Sequence, residues 1–115
     1  MTKQQINFIL DKMLDDIIGS YRYNDEKNVF TNNGEDYDLC LYIGTELSRY
    51  SISLNRFCKG FKGIAEAFRN RRFLENDGDI LILDCSNTTF YIPYESIKLI
   101  QLQAENLNSK YYEYI

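Results

Sequence analysis

Apolar residues recur every three to four positions near the start of the chain. Ile6, Ile9, Leu10, Met13 and Ile17 share one stripe, with Leu14 beside it, and predict an amphipathic helix from Thr2 to Ile18. Thr2 and Gln5 have the spacing of a capping box. Gly19 stands where a left-handed C-cap is expected. From Ser20 to Leu54 the period drops to two, which predicts an antiparallel meander. Tyr21 and Tyr23 alternate with polar neighbours, and Val29-Phe30 makes a short strand. Tyr37, Leu39, Leu41 and Ile43 form a longer strand, and Tyr50, Ile52 and Leu54 another. Polar turns fall at Asn24–Asn28, Asn32-Asn33-Gly34 and Gly44-Thr45-Glu46.

Asn55 to Asn76 (NRFCKGFKGIAEAFRNRRFLEN) returns to helical spacing. Phe57, Phe61, Ile64 and Phe68 fall at i, i+4, i+7 and i+11. Gly60 and Gly63 weaken the early turns by roughly 1 kcal/mol each, so the helix is best defined from Phe61 to Asn70. Asn76-Asp77-Gly78-Asp79 then predicts a turn, Ile80–Cys85 a strand, Ser86-Asn87-Thr88 a turn and Thr89–Ile92 a strand that Pro93 stops. Tyr94-Glu95-Ser96 reads as a corner, and Ile97–Leu102 as a last strand.

The fold class expected is α+β: N-terminal helix, β-meander, central basic helix, then a C-terminal β-hairpin plus strand, an order that is also small-barrel-like. The 115 residues suit a single domain. The tail from Ala104 to Ile115 is more apolar than a free end. It either docks on its own domain or packs on a partner or a second copy, the last giving a homodimer through a docked or swapped C-terminal tail.

Charge is segregated along the chain. Residues 47–74 carry seven basic side chains and one acidic, while residues 1–46 carry nine acidic and four basic, and residues 75–115 seven acidic and two basic. The total is −4. Arg56, Lys59, Lys62, Arg69, Arg71 and Arg72, with Tyr50, are therefore the candidate contact residues for a partner or a phosphate. A solvated helix face is the bland alternative, and a protein contact through the same arginines a third. Tyr21, Tyr23, Tyr42 and Tyr50 are candidates to share that surface, because aromatics interleaved with cations suit single-stranded nucleic acid and nucleotides. Sheet packing explains the same tyrosines equally simply.

The chain has no histidine, and its three cysteines, Cys40, Cys58 and Cys85, are far apart. This argues against the usual zinc site and against Ser–His or Cys–His catalysis. Phosphate-cradling glycine motifs are absent too. No cofactor or metal is called for, although Asp36 and Asp38 offer a weak carboxylate–cation alternative. With no apolar run of membrane length and no signal-peptide order at the start, a cytoplasmic location with reduced thiols is expected. Asn, Lys, Ile, Tyr and Phe total 48 residues against 16 for Gly, Ala, Arg and Pro, a coding bias of low-GC bacteria and their phages. The expectation is a non-catalytic binding protein: a small phage or mobile-element inhibitor of a bacterial defence system, anti-CRISPR-like, acting on a host complex or its nucleic acid. An RNA- or nucleotide-binding module using the basic helix is the alternative, and a carboxylate enzyme a remoter one.

Overall fold

A computed structural model describes residues 1–58, 65–66, 74–85 and 87–108. The chain is α+β. Helix α1 (Lys3–Ser20) is followed by strands β1 (Arg22–Asn24), β2 (Val29–Asn32), β3 (Glu35–Gly44) and β4 (Arg49–Ser53), then by a short helix α2 (Leu54–Cys58). Strands β5 (Leu74–Asp77), β6 (Ile80–Cys85) and β7 (Thr88–Pro93) come next, then a 3-10 turn (Tyr94–Ser96) and β8 (Leu99–Asn106).

The N-terminus of α1 forms as its sequence predicts. Thr2 Oγ1 accepts from Gln5 N–H at 3.1 Å, and Gln5 Oε1 accepts from Thr2 N–H at 2.9 Å. Ile6, Leu10, Met13 and Ile17 are buried, one turn apart along the stripe. The C-terminus differs from expectation. Gly19 stays helical, and the helix ends instead on extended Tyr21, whose N–H donates to Ile17 C=O at 2.8 Å.

The meander is present in the expected order and is fixed by turn chemistry. Asn33 and Gly34 form a two-residue hairpin loop with φ of 52° and 77°. Positive φ at both central positions matches the right-handed twist of the flanking strands. Residues 45–48 close the next hairpin, where Thr45 N–H donates to Ser48 C=O and Ser48 N–H to Thr45 Oγ1.

Strand β3 organises the first, five-stranded sheet. One of its edges is shared end to end: β2 pairs Glu35–Tyr37 and β4 pairs Cys40–Gly44. Its other edge is taken from Tyr37 to Gly44 by β8. The seam between β2 and β4 is closed by a side chain. Buried Asn55 accepts from Leu39 N–H at 2.8 Å and donates to Tyr37 C=O at 3.0 Å and Asn28 C=O at 3.1 Å. Its carboxamide stands in for the peptide that a continuous neighbouring strand would supply.

The second sheet is a three-stranded meander, β5-β6-β7. Its Leu81, Leu83 and Ile92 join the α1 stripe and Phe30, Leu39, Leu41, Ile43 and Ile52 in one core. Leu54 and Cys58 of α2 enter the same core, as their i, i+4 spacing allows. Met1 ties the N-terminus to this end of the molecule, its ammonium donating to Tyr94 C=O at 2.8 Å and Ile97 C=O at 3.0 Å.

Several expected boundaries move. Leu74–Asp77, read as the end of the central segment and the following turn, is strand β5, so the C-terminal hairpin is three-stranded. Ala104–Asn106, read as tail, completes β8. Among the described residues the two sheets are open, with no closed barrel. The helix expected at Phe61–Asn70 lies outside the described residues except for Ala65 and Glu66, which are helical.

Candidate functional site

The two sheets meet at a cleft of about 460 Å³. One wall is the β3–β4 hairpin loop, Thr45 to Ser48, with Tyr50. The other comprises Tyr91 to Pro93, Glu95, Ser96 and Lys98. At the seam the Tyr50 and Phe90 rings lie 4.7 Å apart, tilted by 53°, and both pack on the core. Ile92 forms a buried patch of the lining.

Two large side chains beside the cleft are exposed well beyond what folding requires. Leu47, at the hairpin tip, is 96% exposed, and Tyr91 is 67% exposed. Hydroxyls of Thr45, Ser48 and Ser96 and the charges of Glu46, Glu95 and Lys98 surround them. Thr45 is already committed to its own turn, where its Oγ1 donates to Ser48 C=O at 3.2 Å. The cleft is thus an apolar seat with a polar margin that carries more acid than base. That composition suits an apolar side chain presented by a basic surface.

The other side of the first sheet is an open polar face. Asp36, Asp38, Cys40 and Tyr42 of β3 alternate away from the core, and cross-strand partners Glu105, Gln103 and Gln101 lie beside them. Arg49 lies over the Tyr42 ring at 4.0 Å from its centroid and donates to Gln101 Oε1 at 2.8 Å. Burial, and then the carboxylates of Asp38 and Glu105, push the Cys40 thiol pKa up, so it stays protonated near neutrality. Among the described residues no group of three His, Cys, Asp or Glu side chains is placed to hold a metal ion.

The tyrosines do not share one surface. Tyr21, Tyr23 and Tyr50 pack against the core, whereas Tyr42 stands on the opposite face of the sheet. Tyr21 meets Phe30 and Tyr37 edge to face, at 6.4 and 5.5 Å. Tyr23 donates to Asn28 Oδ1 at 2.5 Å, and its pKa is raised by burial first, then by Cys58 and Asp25. The Tyr37 hydroxyl donates to Glu35 Oε2 at 3.1 Å, and its pKa is raised by burial and then by that carboxylate.

Of the residues expected to contact a partner, Tyr50 lines the cleft. Arg56 is exposed on α2, where its N–H donates to Ser53 Oγ at 3.4 Å. Lys59, Lys62, Arg69, Arg71 and Arg72 lie outside the described residues. Leu47 and Tyr91 were not legible as site residues, since an isolated apolar residue in a turn or strand carries no pattern. The one nearby signal is the turn expected at Gly44-Thr45-Glu46, which Leu47 follows directly.

The fold and cleft define an α+β protein of two open antiparallel sheets on a shared core. Comparison with protein-family models, curated proteins and solved structures finds no match. No described helix is long and apolar enough to cross a membrane.

Proposed function

We propose that the chain is a non-catalytic binding protein that docks on another protein through the cleft between its sheets. The observation that carries this reading is the pair Leu47 and Tyr91, 96% and 67% exposed beside an apolar seat with an acidic margin. Exposed anchors of this size are costly to leave in water and are useful when a partner covers them. The net charge of −4 adds long-range attraction toward a basic partner surface. Proteins that handle nucleic acid present such surfaces. Together with the short chain and the low-GC coding bias, this supports a small phage or mobile-element inhibitor of a bacterial defence complex, anti-CRISPR-like, acting in the cytoplasm. Nothing among the described residues favours RNA or nucleotide binding over this reading.

The test is protection. Bacteria carrying an active defence nuclease and expressing this chain are challenged with a phage that the nuclease restricts. Protection is expected with the parent chain and is lost with Leu47→Asp or Tyr91→Ala, both at exposed positions where folding is little affected. No protection across several defence systems, or protection indifferent to both substitutions, overturns the reading.

A further inference from the structure

Strand β8 runs along β3 from Leu99 to Asn106 in one-to-one register, with no bulge. In an antiparallel ladder alternate residues turn their N–H and C=O groups to opposite edges. Lys98 N–H donates to Gly44 C=O and Leu107 N–H to Asp36 C=O, so even-numbered β3 residues face β8. Their partners Gln101, Gln103 and Glu105 face back. Ile100, Leu102 and Ala104 therefore turn their backbone groups outward, and no described strand lies on that side.

Exposed edges of this length are ordinarily blunted by proline, lysine or a bulge. β8 (LIQLQAEN) has none of these, and Glu105 is its sole charge. Beside the edge runs an apolar groove of about 240 Å³ between α1 and Leu102, lined by Phe8, Ile9, Lys12, Met13 and Asp16. Phe8 in that groove is 72% exposed.

We propose that this edge pairs with the same edge of a second copy, antiparallel about a two-fold axis at Gln103. The register follows from complementarity. Centred on Gln103, the pairing sets Leu102 against the second copy's Ala104 on the helix side, apolar to apolar. On the open face it sets Gln101 against the second copy's Glu105. Gln101 already holds Arg49 at 2.8 Å, so each Glu105 meets a guanidinium across the dyad. Centring on Leu102 instead would set Glu105 against Leu99, which wastes that match. Lys12 and Asp16 repeat the logic in the groove, since a two-fold partner offers them in reverse order. The contact is isologous, with the same patch on both copies. It is separate from the cleft and does not depend on what the cleft binds.

Analytical ultracentrifugation of the full chain, from low micromolar to high micromolar concentration, tests this. A reversible species of twice 13.6 kDa is expected. Ala104→Pro removes an outward N–H and leaves the β3 ladder its bonds, so it yields monomer with an unchanged far-UV circular dichroism spectrum. Glu105→Arg raises the dimer dissociation constant about tenfold, and Glu105→Arg combined with Arg49→Glu restores it. Should Ala104→Pro unfold the chain, the charge exchange alone decides. A parent chain that stays monomeric at every concentration overturns the proposal. So does a dimer that ignores the charge reversal.

Discussion

Asn55 is the residue on which the first sheet depends most. It is 3% exposed and bonds three backbone groups at the seam between β2 and β4. Removing a partner from a buried polar group costs about 1–3 kcal/mol. Asn55→Ala is therefore expected to lose roughly 3 kcal/mol in urea unfolding, a large share of the about 5–15 kcal/mol typical of a domain. Asn55→Asp distinguishes hydrogen bonding from volume. A carboxylate keeps the acceptor for Leu39 N–H but turns both donors into a charge facing Tyr37 C=O and Asn28 C=O. Burial and the two carbonyls raise that carboxyl above the unfolded value of about 3.9, so its deficit relative to the parent chain should be greatest at neutral pH, shrink as pH falls through the raised folded value, and level off below about pH 4. A deficit independent of pH would mean that water, and not the carboxamide, closes the seam. Cys58 makes a second prediction at this scale. Its burial in the core raises the thiol from 9.0 to about 12. A raised acid binds its proton more tightly when folded, so its contribution is complete below pH 9.0 and fades toward about 12. Denaturation midpoints should fall with pH across that window, and Cys58→Ala should flatten the slope. An unchanged slope would assign the alkaline loss to Tyr23 and Tyr37, which are raised as well.

At the scale of elements, what could be read from the chain was local. The α1 stripe and its capping box need only neighbours a turn apart, and both are present. The β2–β3 hairpin was legible because Asn33-Gly34 is almost a complete instruction for a turn with positive φ at both central residues. Gly19 misled because glycine permits a left-handed cap without demanding one. Strand β5 was hidden because Leu74–Asp77 is short and abuts basic helical spacing, and its partner β6 supplies the missing register. The pairing of β8 with β3 joins residues more than fifty positions apart. No periodicity reports such a pairing. Asn55 was invisible for a related reason: a lone asparagine between a strand and an aromatic run reads as an ordinary helix start. Of the residues lining the cleft, the sequence singled out Tyr50, but as a neighbour of the basic segment, and the cleft itself arises only when two separately coded hairpins meet.

For the whole molecule the question is whether two sheets make one cooperative unit or two. No described backbone ladder joins them. What joins them is apolar: Leu81, Leu83 and Ile92 of the second sheet share a core with Leu39, Leu41, Ile43 and the α1 stripe, and Phe90 meets Tyr50 at 4.7 Å. Hydrophobic burial has no direction, so a shared core couples sheets as firmly as hydrogen bonds do. Leu81, Leu83 and Ile92 of the second sheet lose their core neighbours if the first departs, and a three-stranded sheet with nothing packed on its apolar face is marginal in water. A single unfolding transition follows. The chain has ten tyrosines and no tryptophan, so tyrosine fluorescence reports packing while far-UV circular dichroism reports the ladders. Guanidinium midpoints from the two signals are expected to coincide. Phe90→Ala, which removes the ring at the seam, should lower both together by an amount equivalent to about 2–4 kcal/mol. A shift confined to one signal, or a plateau between two transitions, would show that the sheets fold separately. The cleft between them would then be a hinge, and the apolar seat flanked by Leu47 and Tyr91 would not be preformed for its partner.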